Sequence, residues 1–266
     1  MQNIYIKYII LFLLLGIYAC KKVITVDLKN AAPQIVIQGD ITNETGPYTI
    51  KITKTIAYTS DNIFPPVTGA TVSIKDNTIN TTDVLMETAP GIYSTSVLQG
   101  VQGHTYTLTV TTEGKTYTAS STMPQQILLD SMTFLKVGAF GTTTINAVPK
   151  FQDPPGISNY YKFEQTLNKR KLKQFFPFDD RLSDGRYGTR QLFNDSAYLN
   201  IGDTLLLEMQ CIDKNIFNYF NELDRITNPN NNQSSTPANP TSNINNNALG
   251  YFSAHTVQRK KSVVKL

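Results

Sequence analysis

The sequence predicts a mostly β protein, in which an N-terminal immunoglobulin-like sandwich spans residues 34–124 and a second β-rich domain with one helix spans residues 127–266. Segments that alternate apolar and polar residues follow one another at short intervals, as expected for half-buried strands. Glycine and proline lie between these segments and mark turns. Only 17% of the residues are charged, whereas threonine is frequent, and this composition is typical of strand-rich proteins.

Strands of the first half are predicted at residues 34–40, 48–54, 70–76, 91–95, 105–111 and 115–122. The pair Glu113-Gly114 predicts a tight hairpin turn between the last two of them. Many short strands without a convincing helix indicate an immunoglobulin-like sandwich. Met123-Pro124 ends the run, so we expect a domain boundary between Pro124 and Ile127.

Longer strands are predicted in the second half, at residues 130–135, 142–151, 160–171 and 203–212, with a terminal strand at 248–254. Ile216, Phe220 and Leu223 repeat at helical spacing and predict a helix over residues 214–226, with Asp213 as its N-cap.

The other parts of the second half are predicted to be irregular. Residues 175–188 read as a loop, and residues 228–247, rich in Asn, Ser, Thr and Pro, predict a disordered loop. Arg259-Lys260-Lys261 predicts a basic tail after the last strand.

The first residues indicate a targeting segment. A short apolar run follows Lys7, which is the pattern of a secretory signal peptide at residues 1–19. Ile17-Tyr18-Ala19-Cys20 resembles the lipobox of bacterial lipoproteins, so we expect Cys20 to be diacylated and to become the first residue after cleavage. Residues 20–33 would then be the lipid anchor and tether.

Further motifs follow in a fixed order along the mature chain. They are Ile35-Val36-Ile37-Gln38-Gly39, Pro65-Pro66-Val67-Thr68-Gly69, Gly91-Ile92-Tyr93, Gly103-His104-Thr105-Tyr106, Gly114-Lys115-Thr116-Tyr117, Asp153-Pro154, Asn159-Tyr160-Tyr161 and Leu249-Gly250-Tyr251-Phe252. This ordered set resembles the domain of unknown function 4249 family of Bacteroidota envelope lipoproteins, over nearly the whole mature chain.

The resemblance implies an outer-membrane lipoprotein, often encoded beside a TonB-dependent receptor, and it implies no assigned activity. Acidic residues often follow the acylated cysteine in surface-exported lipoproteins of that phylum. Lys21-Lys22 stand there instead, which favours the periplasmic side over the cell surface. We therefore expect a non-enzymatic accessory or binding component of a TonB-dependent transport system; the alternative is a lipoprotein that captures glycan or peptide.

Catalytic and metal-binding signatures are sparse, so we expect neither an enzyme nor a cofactor. His104 and His255 are the two histidines; His104 is expected at a turn and His255 exposed after the last strand. A Ser-His-Asp triad requires a histidine beside a serine and a carboxylate, and no motif places them together. The run from Asp179 to Gly185 has only a faint likeness to a calcium loop, because Leu182 breaks the alternation of oxygen ligands.

Candidate partner contacts are Phe175, Phe176, Phe178, Arg181 and Arg186. An aromatic cluster in a loop indicates either a contact patch or a plug at the end of the second sheet, and both interpretations stay open. A net charge of +4 is too small to predict nucleic-acid binding. The second cysteine, in an alternating strand pattern, is expected to be a buried, inert thiol.

Overall fold

The computed structural model describes residues 32–57, 60–139, 142–194, 198–228 and 239–266. The predicted signal peptide, Cys20 and nearly all of the predicted tether lie outside the described residues. Residues 33–266 form one compact unit. The prediction of a mostly β fold with sandwich-like packing is confirmed.

Strands of the first half are β1 (Ile35–Thr42), β2 (Thr49–Lys54), β3 (Thr71–Asp76), β4 (Thr81–Ala89), β5 (Ile92–Ser94), β6 (Thr105–Thr112) and β7 (Lys115–Thr122). Those of the second half are β8 (Leu129–Ala139), β9 (Thr142–Gln152), β10 (Tyr160–Leu167), β11 (Arg170–Asp179), β12 (Tyr187–Thr189), β13 (Thr204–Ile212) and β14 (Leu249–Val263). Helix α1 (Lys214–Thr227) lies between β13 and β14 and is the only helix in the described ranges.

The strands that the structure describes form two sheets. The larger has 11 strands in the order β11-β10-β13-β14-β1-β2-β5-β4-β3-β6-β7, and the smaller has the order β12-β9-β8. Strand β14 runs parallel to β1 and antiparallel to β13. Strands from both sides of the predicted boundary therefore share one hydrogen-bonded sheet, and the division into two domains stays a prediction.

The pairing of β14 with β1 depends on Gly250. Its φ is 91°, a left-handed conformation that side chains other than glycine rarely adopt. A Cβ at this position would lie 2.0 Å from the carbonyl oxygen of Ile37. The close approach brings Phe252 and Ala254 into the core that β1, β2, β3, β6 and β7 build, so the C-terminal strand completes the first half of the fold.

Helix α1 confirms the predicted helix and its cap. The Asp213 carboxylate accepts hydrogen bonds from the backbone N–H groups of Asn215 at 2.9 Å and Ile216 at 3.0 Å. These two donors have no partner within the helix itself. The buried face of α1 packs on the sheet, where Phe220 contacts the rings of Phe175 and Tyr251.

Two predictions around residues 160–188 are wrong. A single strand was expected over residues 160–171, but Asn168 and Lys169, with φ of 47° and 69°, form a turn between β10 and β11. Residues 175–179, expected in a loop, belong to β11. Strand β4 was not predicted, because its apolar residues Val84 and Met86 point outward and are mostly exposed.

The C-terminal part also differs from expectation. Strand β14 continues to Val263, so Arg259-Lys260-Lys261 lie within a strand and not in a tail, and His255 is buried and not exposed. Residues 229–238 of the expected disordered loop lie outside the described residues. Residues 239–247 are ordered against β7, where the Asn245 side chain accepts from the Thr118 backbone N–H at 2.8 Å and donates to its hydroxyl at 2.7 Å.

In the part of the chain that the structure describes, no helix is both long enough and apolar enough to span a bilayer.

Candidate binding site between β11 and β12

An open cleft of about 510 Å³ is lined by residues from the edge strands of both sheets and from the segments beside them. Strand β11 ends the large sheet and contributes Phe178, while β12 ends the small sheet and contributes Tyr187 and Gly188. We call this cleft the aromatic–arginine pocket. Its lining residues are Phe178, Leu182, Ser183, Arg186, Tyr187, Gly188, Arg190, Gln191 and Phe193.

The first wall of the pocket is the turn between β11 and β12, and Asp153 holds it. This buried side chain accepts one hydrogen bond from the Tyr161 hydroxyl and another from the Gly185 backbone N–H at 3.0 Å. Burial raises the pKa of the Asp153 carboxyl, and the hydrogen bond from Tyr161 acts in the opposite direction. The carboxylate thus ties the turn to strand β10 from inside the protein.

Two more carboxylates fasten the same turn. Asp180 accepts from the Asn159 backbone N–H at 2.7 Å, and Asp184 accepts from the Gly156 backbone N–H at 2.8 Å. With Asp153 they bring three carboxylate oxygens within 4.8 Å of one another, which is close enough for a metal ion. Each carboxylate already accepts a backbone hydrogen bond, so loop anchoring accounts for the cluster.

The second wall is the segment after β12, which is held at two points. Leu192 is fully buried, and its backbone N–H donates to the Ala147 carbonyl at 2.9 Å. The Gln174 side chain donates to the Phe193 carbonyl at 3.0 Å. Because Leu192 inserts into the core, its neighbours Gln191 and Phe193 line the pocket.

Aromatic and apolar groups form much of the accessible surface here. Phe193 is 54% exposed, Tyr187 is 49% exposed and Leu182 is 91% exposed. The guanidinium of Arg190 lies over the Phe178 ring, with 4.5 Å from its central carbon to the ring centroid. This cation–π contact fixes the position of one cation at the floor of the pocket.

The polar groups of the pocket are mainly donors. Among the residues that the structure describes, neither Arg186 nor Arg190 forms an ion pair within 4.0 Å. The side-chain nitrogen of Gln191 is buried and has no hydrogen-bond partner in that part of the chain. Two guanidinium groups without an ion pair therefore line a cleft whose ligand would supply acceptors, and the Gln191 nitrogen is buried behind the accessible surface.

The five predicted contact residues lie in different surroundings: some line the pocket, some pack into cores and one forms an ion pair. Phe178 and Arg186 line the pocket. Phe176 packs against the core of β10 and β13, and Phe175 lies on the opposite face of β11, 5.4 Å from the Phe220 ring. Arg181 points away into an ion pair with Asp179 at 2.8 Å. Partner contact by any of these residues stays a prediction.

Sequence reasoning did not place Tyr187 and Phe193 in a site, and it grouped Arg190 only with the cations of the second half, which indicate either a docking surface or a solvated hairpin. The sequence carries only a local signal. Tyr187, Arg190 and Phe193 are large side chains close to Leu192, an apolar residue after a mostly polar stretch. Their convergence with Phe178 depends on the pairing of β12 with β9 and of β11 with β10, which no local pattern reveals.

A second polar cluster lies on the other face of β10, beside α1. The Lys162 ammonium is 3.0 Å from a Glu164 oxygen and 3.9 Å from the centroid of the Phe220 ring. Burial raises the pKa of the Glu164 carboxyl, but Lys162 and Lys171 outweigh this effect and lower the pKa to about 2. Two lysines therefore flank the Glu164 carboxylate of this cluster.

His255 lies near a serine and an aspartate, but the arrangement is not that of a catalytic triad. Its Nδ1 is 2.9 Å from the Ser253 hydroxyl and 3.8 Å from an Asp40 oxygen, so both neighbours approach the same ring nitrogen. A triad needs the serine and the carboxylate on opposite nitrogens. Ser253 is also buried in the middle of β14, where no substrate could reach its hydroxyl. Burial, and then the charge of Lys162, lowers the pKa of His255 to about 3.

His104 and Cys211 have structural roles. His104 lies just before β6, where its Nδ1 is 2.7 Å from the buried carboxylate of Asp76. Cys211 is a buried free thiol, as expected, and burial raises its pKa. A buried thiol with a raised pKa is a poor nucleophile.

The chain matches one known protein family. The model of the domain of unknown function DUF4249 matches residues 21–261, so the chain belongs to this family. No curated protein matches the chain.

Proposed function

We propose that this protein is a lipid-anchored, non-enzymatic binding component of a TonB-dependent transport system at the outer membrane, on its periplasmic side. The aromatic–arginine pocket is the observation that carries the proposal. It is open to solvent, and it combines exposed aromatic rings with two arginines that form no ion pair within 4.0 Å in the described residues, although Asp179 and Asp224 lie near enough to act on the charge of Arg190. Exposed aromatic and arginine side chains are enriched at protein interfaces.

A binding role suits the pocket better than a catalytic one. Its polar side chains are arginines, an amide and a serine, and none of them is a base positioned to activate a nucleophile. His255, whose Nδ1 is 2.9 Å from the Ser253 hydroxyl, is buried within β14 and does not line the pocket.

The lipid anchor would make weak contacts sufficient. One acyl chain holds a protein only marginally, whereas two give stable attachment to a bilayer. A partner in the same membrane would then meet the pocket at a high effective concentration, so micromolar contacts could form a lasting complex. This part of the proposal depends on acylation of Cys20.

A second candidate function is capture of glycan or peptide by the same pocket. The exposed rings of Tyr187 and Phe193 favour it, because they offer flat apolar surfaces beside hydrogen-bond donors. In this case the isolated protein would bind its ligand without any receptor.

Mild crosslinking of intact cells, followed by purification of the full-length protein, tests the proposal. We expect a barrel receptor to be the dominant partner. Combined Arg186→Gln and Arg190→Gln substitutions should remove most of it, whereas Arg170→Gln, an exposed position at the far end of β11, should leave it unchanged. Equal recovery of the receptor by the double variant would show that the pocket is not the contact surface.

Acylation is tested separately. Cys20→Ser should abolish acyl labelling and release the protein from the membrane fraction. Unchanged membrane retention of this variant would exclude anchoring through Cys20.

A further inference from the structure

We propose that the aromatic–arginine pocket binds an acidic, extended peptide segment. The inference rests on the proposed function, since the segment would belong to the protein partner, and it specifies the chemistry by which that partner is recognised.

Charge complementarity defines the first requirement on the ligand. Arg186 and Arg190 both line the pocket, and in the described part of the chain neither has a carboxylate within ion-pair distance. Guanidinium groups bind carboxylates through paired, charge-assisted hydrogen bonds. A ligand that satisfies this set carries at least two acceptor groups, of which carboxylates are the best match.

The position of the pocket defines the second requirement. Strands β11 and β12 are edge strands of their sheets, so each has one side without a neighbouring strand. Such edges offer unpaired backbone N–H and C=O groups, and extended peptides bind to them by adding a strand. Pro177 in β11 is compatible with this position, because proline in a sheet is confined to edges and bulges. An extended backbone between the two edges would place alternate side chains in the pocket.

The rim of the pocket favours a peptide over an acidic glycan. Leu182, the most exposed large apolar residue in the described ranges, lies at the mouth. A branched aliphatic side chain suits the apolar side chains of a peptide, whereas sugar rings stack on flat aromatic faces. The exposed ring of Phe193 provides an additional apolar surface. We therefore expect a segment in which acidic residues alternate with apolar ones.

The test uses the full-length protein in detergent and the fluorescent peptide Thr-Glu-Val-Glu-Phe-Glu-Thr, followed by anisotropy. The matched probe replaces each glutamate with glutamine. We expect the acidic peptide to bind at least about tenfold more tightly than the glutamine peptide, because charged hydrogen bonds are roughly twice as strong as neutral ones. Arg186→Gln and Arg190→Gln should each weaken the acidic peptide by about tenfold. Arg170→Gln should have no effect, and an unchanged melting temperature verifies that each variant is folded.

Three outcomes would overturn the proposal. One is equal binding of the acidic and glutamine peptides. Another is binding of the acidic peptide that is insensitive to both arginine substitutions. The third is tight binding of trigalacturonate without binding of the peptide, which would assign the site to an acidic glycan.

The outcomes of the peptide test and of the crosslinking test are independent, because either can be negative while the other is positive. Recovery of a receptor without peptide binding would contradict the acidic segment alone. Peptide binding without any receptor would contradict the transport role while the peptide site remains.

Discussion

The burial of His255 predicts that the protein loses stability in mild acid. The imidazole lies within β14, is only 4% exposed and has a pKa of about 3, whereas an unperturbed histidine has a pKa of 6.5. Between pH 3 and pH 6.5 the imidazole is protonated in the unfolded chain and neutral in the folded protein. Neutral His255 therefore does not lower the free energy of unfolding above pH 6.5. Its protonation in the unfolded chain lowers that free energy progressively as the pH falls toward 3.

The magnitude follows from the gap between the two pKa values. Each pH unit across the gap is worth about 1.36 kcal/mol, so this residue alone costs about 2 kcal/mol of unfolding free energy by pH 5 and about 4 kcal/mol by pH 3, where the folded imidazole is half protonated. The pKa of His255 already includes the nearby charges. Lys162 lowers this pKa, and three glutamates raise it, but burial has the largest effect; the glutamates are Glu208, Glu164 and Glu44.

The assay is urea unfolding of the full-length protein and of His255→Asn in the same detergent at pH 7 and pH 5. Asparagine is the matched replacement, because its side-chain oxygen can take the place of Nδ1 beside the Ser253 hydroxyl and it does not titrate. The difference in unfolding free energy between the two proteins should change by about 2 kcal/mol in favour of the variant on going to pH 5. A difference that does not change with pH would refute the reasoning and show that His255 is accessible to protons.

Three further outcomes are expected. Asp153→Ala should lower the unfolding free energy by about 2–4 kcal/mol in urea titrations, because two donors lose their partner, and it should weaken peptide binding by loosening the pocket wall. Phe175→Ala combined with Phe176→Ala should cost about 3 kcal/mol in the same assay, since both rings pack into cores; lost partner binding with unchanged stability would instead support a contact patch. Glu164→Gln should cost about 3 kcal/mol at pH 7 and remove the part of the acid sensitivity that sets in below pH 4.5, and a variant that unfolds in acid like the native chain would contradict the ion pair.

Local sequence patterns correctly predicted the elements in which the spacing of apolar residues matches the spacing of buried residues in the structure. Strands β6 and β7 with the Glu113-Gly114 turn, and helix α1 with its Asp213 cap, are confirmed because alternation and capping act within a few residues. The mostly β class follows from the same local information.

Long-range pairing explains the elements that could not be predicted. His255 was expected after the last strand because Arg259-Lys260-Lys261 resemble a tail, but β14 pairs with β1 over residues 249–255 and continues by pairing with β13 over residues 256–263. The aromatic run of β11 contains Pro177 and resembled a loop, whereas pairing with β10 makes it an edge strand.

The candidate site could be predicted only in part for the same reason. Phe178 and Arg186 stood out as residue types, and the pocket is formed where they meet Arg190 and Phe193 across two sheet edges. Phe175 and Phe176 carry the same sequence signal, but the alternation of β11 turns them toward cores on its two faces.

Site-directed crosslinking from the rim of the pocket tests the central claim most directly. Phe193→Cys places a thiol at the pocket, and Val97→Cys places one at an 81% exposed position in the first half of the fold. In this proposal the Cys20 sulfur carries the lipid, and Cys211 is buried with a raised pKa, so a maleimide crosslinker should react at the introduced positions. We predict that a receptor is captured in the envelope from Phe193→Cys and not from Val97→Cys. Capture from Val97→Cys alone, or equal capture from both, would contradict the assignment of the aromatic–arginine pocket as the binding site.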